Sequence, residues 1–192
     1  MSVLCIDLDT SGLIDYRSEL SAGHQPQIVA IACGIYEDDG TETDIVFSAL
    51  IRPEGFSIPE SAVKIHGIDQ RRAVRYGIPL KTALSVVMNM AALAPTCISY
   101  GLESYDAKVM RAALSHFGSS APFPPIGVEA VCVKTLATEI CKIEGEGSRY
   151  QRPDLETAAK VILQRPLART TLSNMRATAE IYFALKKMGV AA

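Results

Sequence analysis

The chain has no tryptophan, and aromatic residues make up only 6% of its 192 positions. Any stacking surface must therefore be assembled from Tyr, Phe or His. Nor is there an excess of positive charge: 19 Lys and Arg against 21 Asp and Glu leave a net charge of −2. That argues against a strong electrostatic grip on duplex DNA, which draws on clustered basic residues. It leaves open a partner that is met over a small patch. The five cysteines, Cys5, Cys33, Cys97, Cys132 and Cys141, show no Cys-x-x-Cys spacing. Four lie in or beside apolar runs and read as buried free thiols of a reducing compartment. The amino terminus has no basic region and meets an acid by Asp7, unlike a secretory signal. No apolar run approaches the roughly 18 residues of a membrane span. The expectation is a soluble, cytoplasmic protein with no membrane partner.

What is present is an ordinary globular composition, 48% hydrophobic and 21% charged, with no repeat or low-complexity tract. At this length one domain spanning residues 1–192 can bury its own core. Residues 2–8 read as a buried strand. Gln27–Tyr36 and Asp44–Ile51 read as two more, joined by the acidic turn Glu37-Asp38-Asp39-Gly40, a hairpin signal. Pro59 opens a short helix that closes at His66-Gly67, and Leu80–Leu93 has helical spacing stopped by Pro95. Thr96–Tyr100 is a strand, followed by a helix over Ser104–Phe117. A linker at Pro122, Pro124 and Pro125 leads to a strand near Val128–Val131. Helices are expected over Lys134–Lys142, Leu155–Leu163 and Leu172–Lys187, with a mobile loop over Gly145–Pro153.

The first strand carries the chemistry. Side chains two apart in a strand point the same way, so Val3, Cys5, Asp7 and Asp9 share one face and Leu4, Ile6 and Leu8 the other. An apolar strand running into paired acids and then Thr10-Ser11-Gly12 suits a hard divalent cation, held by one or two carboxylates and a substrate phosphate. An acidic strand end that caps a turn is the plainer alternative.

Four segments, in order, resemble the DEDD (DnaQ-like) 3′–5′ exonucleases. Asp7-Leu8-Asp9-Thr10-Ser11-Gly12 is similar to their first motif, in which the second acid is usually Glu. Ile58-Pro59 through Ile65-His66-Gly67-Ile68 is similar to the segment after their third strand. Ser104-Tyr105-Asp106 resembles the second motif. Leu172–Ile181, with Arg176-Ala177-Thr178-Ala179-Glu180, resembles the helix of the third. The resemblance implies a ribonuclease H-like three-layer α/β fold, with a five-stranded mixed sheet whose first three strands are antiparallel. The element order read from the pattern agrees.

The resemblance also implies a site in which four acids hold two Mg²⁺ or Mn²⁺ ions and a histidine activates water; such ions lower the pKa of water and neutralise the leaving oxygen. Asp7 matches the first acid. Asp9 keeps the charge of the second on a side chain one methylene shorter, which disturbs a near-octahedral Mg²⁺ shell. Asp106 matches the third, with Tyr105 where Phe is usual; a helix cap is its alternative role. In the third motif, Asn174 falls at the acid and Arg169 at the histidine, or, in another register, Glu180 at the acid and Met175 at the histidine. The first register keeps the longer downstream match. Asn174 offers a carbonyl oxygen without charge, and Arg169 cannot lose its proton. The base is missing in either register.

Two substitutions of charge in one motif imply a weak or lost metal site and weak or lost hydrolysis. One expectation is that Arg169 pairs with Asp7 or Asp9 and partly replaces a cation. A solvent-facing Arg is its alternative. Thr10, Ser11, Leu13 and Tyr105 stand where the family meets the terminal nucleotide, with Leu13 either a wedge against a base or ordinary turn packing. His66 is either a catalytic stand-in or a packed helix end, and His24 and His116 remain open. Arg71, Arg72 and Arg75 are the densest positive charge and read either as a phosphate-steering run or as a solvated helix face. The expected partner is a single-stranded nucleic-acid 3′ end, and a homodimer is permitted. The alternatives are a catalytically inactive nucleic-acid-binding or protein-interaction module on the same fold, and an unrelated α/β domain.

Overall fold

The computed structural model describes residues 2–20, 22–145 and 150–190. A five-stranded sheet runs through the middle in the order β3-β2-β1-β4-β5. Its strands are β1 (Val3–Thr10), β2 (Ile28–Tyr36), β3 (Glu42–Leu50), β4 (Thr96–Ser99) and β5 (Glu129–Cys132). β1, β2 and β3 form the antiparallel meander, while β4 is parallel to both β1 and β5. This is the ribonuclease H-like arrangement that the pattern implied.

The central strands are buried on both faces, which is why they read as nearly continuous apolar runs. Helices lie on either side. α3 (Leu80–Ala91) and α4 (Ala107–His116) pack Leu84, Val87, Val109 and Met110 against Leu4, Ile6 and Leu8. On the other face, α5 (Val133–Cys141) and α7 (Thr171–Lys187) pack Val133, Met175 and Ile181 against Val3 and Cys5. The strand alternation thus divides β1 between two cores as expected.

α1 (Glu60–His66) and α2 (Gln70–Tyr76) sit over the far end of β2 with a third core of Val29, Ile58, Ala62 and Ala73. α1 starts after Pro59 and ends on Gly67, whose φ of 72° requires a residue free of Cβ strain. α2 falls on the arginine run, which bears out its reading as a helix face, although apolar spacing does not mark its bounds. It is one face of exposed charge around a single buried Ala73, too little apolar periodicity to announce itself. Gly77 closes it where a Cβ would lie 2.3 Å from the Ala73 carbonyl oxygen and 2.5 Å from the Arg52 nitrogen, so the chain can turn back onto β3 only through glycine.

Most boundaries shift by one or two residues, and three differences bear on the site or its walls. β1 extends to Thr10, with a register shift after Asp9. The helix expected from Ser104 begins instead as a π turn, Leu102–Asp106, that leads into α4. The helix expected over Leu155–Leu163 is α6 (Leu155–Ala158) followed by a second π turn, Ala159–Leu163. All five cysteines are free, but Cys132 and Cys141 are only partly buried. The reading of Gly145–Pro153 as a mobile loop falls mainly on residues 146–149, outside the described residues. No helix among the described residues is long and apolar enough to cross a membrane.

Candidate functional site

Asp7 and Asp9 extend from β1 beyond the three-residue register, Val3 to Cys5, in which it pairs with β4. They lie at the carboxyl end of the parallel strands, where open α/β sheets present their ligands. Asp106 closes the π turn that follows β4 and is 6% exposed. Its side chain does not cap α4. It accepts a hydrogen bond from the Ser99 hydroxyl, which in turn accepts from the Gly101 N–H. α7 supplies the opposite wall. Residues three apart share a helix face, so Thr171 and Asn174 both turn toward the acids, while Met175 and Thr178 enter the core. The Thr171 hydroxyl donates to Asp9 Oδ2 at 2.5 Å, and the Asn174 side chain lies close enough to Asp7 to favour its charged form.

Burial dominates the electrostatics of the three carboxylates. It pushes Asp7 well above the usual carboxylate range, and the charges of Asp106 and Asp9 push it further, against the pull of Asn174. Asp106 is pushed up to about 6 by burial despite the Ser99 hydrogen bond. Asp9 is raised by burial and held back by Thr171 and by the nearby His66. Only three buried side-chain atoms among the described residues have no hydrogen-bond partner, and two of them, Asp7 Oδ2 and His66 Nε2, belong to this site. A buried polar atom without a partner needs a reason; an absent ligand supplies one.

An apolar cavity of about 580 Å³ opens beside Asp9 and is lined by Leu13, Ala62, Ile65, His66 and Tyr105. Leu13 is 85% exposed and Ile65 73%, so both present apolar surface to whatever enters. The Tyr105 hydroxyl donates to the Gly12 carbonyl at 2.7 Å and is also bonded to the Thr10 hydroxyl. These contacts hold the turn after β1 against the π turn. Tyr16 adds a second tie through its hydroxyl to the Ser104 carbonyl at 2.6 Å. Thr10, Leu13 and Tyr105 therefore lie together at the cavity. Ser11 does not join them: its hydroxyl accepts from the Gln27 N–H at 2.9 Å and fastens the turn to the approach of β2.

This architecture has close parallels among solved structures. Exonuclease I from Methylocaldum szegediense superposes with a TM-score of 0.76 over 97% of this chain at 14% identity. E. coli exonuclease I in complex with an oligonucleotide gives 0.75, again over 97% of this chain at 14% identity. The chain shares the fold of exonuclease I. It spans about 40% of the length of either exonuclease I chain, and at this identity the likeness concerns the fold alone. No protein-family model and no curated protein sequence matches the chain.

The third-motif segment corrects one expectation. Arg169 does not pair with Asp7 or Asp9. Its Nη2 lies 2.9 Å from Glu156 Oε2 on α6, and its side chain is 72% exposed. Glu156 also takes Lys160 at 2.9 Å. The physical reason is exposure: an Arg on the rim finds a solvated carboxylate without giving up its own hydration, whereas reaching Asp7 requires both charges to be desolvated. Glu180 lies on the outer face of α7 and pairs with Arg165 at 2.7 Å, so of the two registers it is Asn174 that stands beside the acids.

No histidine offers a free lone pair at the acids. His66 Nδ1 accepts the Ile68 N–H at 3.0 Å, so the neutral ring carries its proton on Nε2 and can only donate there. His24 lies 3.2 Å from Asp15 on an exposed loop. His116 packs edge-on to Phe117 at the end of α4.

Among the described residues, no group of three His, Cys, Asp or Glu side chains forms a ready-made cation cage. One divalent ion nevertheless fits the donor set at Asp7, because its Oδ2 is buried and unpartnered and its charge is opposed by two neighbouring acids. A second ion fits poorly, since one oxygen of Asp9 is committed to Thr171 and one of Asp106 to Ser99, and Asn174 brings no charge.

Proposed function

We propose that this chain binds the 3′ end of a single-stranded nucleic acid at Asp7, Asp9 and Asp106, and that its 3′–5′ exonuclease activity is weak or lost. The observation that carries the reading is the unpartnered, buried Asp7 Oδ2, two positions along β1 from Asp9, which lines an apolar cavity large enough to admit a base. A Mg²⁺ or Mn²⁺ ion, when bound, supplies the positive charge that lets a phosphate approach three carboxylates, and lowers the pKa of water. Asp7, with Asp106 and Asp9 as neighbours and the Asn174 side chain beside it, would hold it.

The chain's own residues supply the remainder. Leu13, Ile65 and Tyr105 cover the faces of a terminal base, with Tyr105 fixed by Thr10 and Gly12. The His66 Nε2–H offers a hydrogen bond to an incoming oxygen. Removing a proton from water is the step left without a residue: Arg169 is turned to Glu156, and the lone pair of His66 is committed to the Ile68 N–H. General-base catalysis is typically worth about 10²–10⁴-fold, so binding survives the loss and turnover largely does not. E. coli exonuclease I, which shares the fold, has been captured with single oligonucleotides, in keeping with a strand-end ligand here.

Calorimetric titration with Mn²⁺, with Asp7→Ala as control, tests the site. Binding that disappears in Asp7→Ala supports it. Equal binding by both proteins places the cation elsewhere. If neither binds metal but both bind a single strand, the chain is a metal-independent binding module.

A further inference from the structure

Beyond the acids, three cavities meet at His66. The apolar one shares Asp9 and His66 with a second, of about 290 Å³, which contains Asn174, Glu156 and Arg169. The second shares Arg169 and Thr170 with a third, of about 360 Å³, which lies between the α1–α2 turn and the start of α7. They form one groove, and of the three acids Asp9 lines it, where the first cavity meets the second.

The third cavity differs from its neighbours in charge. Its ionisable lining is Arg72, Arg169 and His66, and no carboxylate lines it, although acids outnumber bases in the chain as a whole. Ser48 from the edge strand and Thr170 from the cap of α7 add hydroxyls. Among the described residues, no carboxylate pairs with the Arg72 guanidinium; Asp69, the nearest acid in sequence, bonds the Arg72 backbone N–H at 2.7 Å instead. Arg169 is held at the boundary by a single nitrogen on Glu156, which leaves the other edge of its planar fork available. The arginine run is thereby sorted. Arg72 lines the groove, whereas Arg75 lies 5.1 Å over the ring of Tyr76 on the outside of α2.

We propose that this carboxylate-free arm of the groove binds the sugar–phosphate backbone of a single strand on the 5′ side of the acids, with Arg72 and Arg169 as its phosphate ligands. The inference rests on the proposed function, because the terminal base and its phosphate fix the direction. With the base in the apolar cavity and its phosphate at Asp7, the strand leaves past His66 and enters the third cavity. Guanidinium groups match phosphate oxygens in geometry and charge. A single strand needs such contacts upstream, because one base in a cavity offers little hold on the rest of the chain. The acids repel a phosphate until a cation is present, while Arg72 and Arg169 attract one without it. The groove therefore pairs a conditional anion site with an unconditional one.

Fluorescence anisotropy with oligothymidylates of two and of six nucleotides, in Ca²⁺ to suppress hydrolysis, provides the test. The wild-type chain is expected to bind the six-mer more tightly than the dimer. Arg72→Gln with Arg169→Gln should lower six-mer affinity about tenfold and flatten the dependence of log affinity on log salt by about 0.7 for each phosphate no longer neutralised. Dimer affinity should stay unchanged, as should both affinities in Arg75→Gln. Arg72→Gln alone should give part of the effect without touching the Glu156 pair. Equal losses for both lengths, no loss for either, or the same loss in Arg75→Gln would overturn the proposal. Wild-type binding that does not depend on length would overturn the groove but keep the strand-end site. Failure of the wild type to bind either length would overturn both.

Discussion

The two walls of the cleft follow different rules. On one side, β1 carries Asp7 and Asp9 on a strand hydrogen-bonded along β2 and, up to Cys5, along β4. Its side-chain directions follow from a period of two, and its acids remain close even though burial and mutual repulsion oppose it. On the other side, the segment before α7 carries Arg169 on an exposed rim, where its partner is chosen by solvent as much as by sequence. Costly geometry is enforced by the sheet, and cheap geometry is left to the surface. A site built across both walls can lose chemistry at the rim while its floor persists.

The sharpest way to break this contrast is to place beside the acids the Asp and His that the DEDD exonuclease motif carries. On the proposed reading, Asn174→Asp together with Arg169→His should raise metal-dependent exonuclease activity by about 10²-fold or more, measured as mononucleotide release from a 3′-labelled single strand. A folded double variant with no gain would mean that the third-motif alignment is misplaced.

Next in size is the strain on the floor. Asp106 is held in the folded protein at about 6 by burial, above its value near 4 in the unfolded chain. The folded state therefore binds the proton more tightly. Stability in chelator should be lowest above pH 6 and should rise as pH falls from about 6 toward 4. Asp106→Asn should remove part of that rise and stabilise the neutral-pH protein, by on the order of 1–3 kcal/mol. Thermal melts from pH 7.5 to 5 check both, and a flat profile in the wild type would contradict the burial argument.

The turn that holds the apolar cavity is a smaller case. Tyr105→Phe removes the hydroxyl that ties Thr10 and Gly12 to the π turn. It should cost about 1 kcal/mol by denaturant unfolding and weaken binding of a dinucleotide. The smallest effect belongs to the rim: Arg169→Ala breaks only an exposed pair with Glu156. It should change stability by no more than about 0.5 kcal/mol. A larger loss would make Arg169 part of the frame.

The same contrast explains what can be read from the sequence. The five strands are legible in chain order, because Leu4, Ile6 and Leu8 alternate with Cys5 and Asp7 and because runs such as Ile28–Tyr36 are continuously apolar; their places in the sheet follow from the resemblance. The Pro59 start and Gly67 stop of α1 are legible for local reasons of backbone conformation. Other features are not. The bounds of α2 are hidden because Gln70–Tyr76 buries only Ala73. The π turn at Leu102–Asp106 is hidden because the bond it shifts, from the Asp106 N–H to the Gly101 carbonyl, leaves no mark on hydrophobic spacing. The partner of Arg169 lies thirteen positions away, on a helix whose approach depends on the whole fold. The bond from the Gln27 N–H to the Ser11 hydroxyl is hidden because it joins residues sixteen positions apart.

The placement of Asp7 on β1 also sets a timescale. With Ala32 beside it on β2 and packed helices above and below, its stretch of backbone should exchange amide protons only when the whole sheet opens. α1 and the turn at Gly12 are tied down by far fewer bonds and should exchange sooner. Ligands of different size would then meet a floor that is already set, and the adjustment would fall to Leu13, Ile65 and the residues around them.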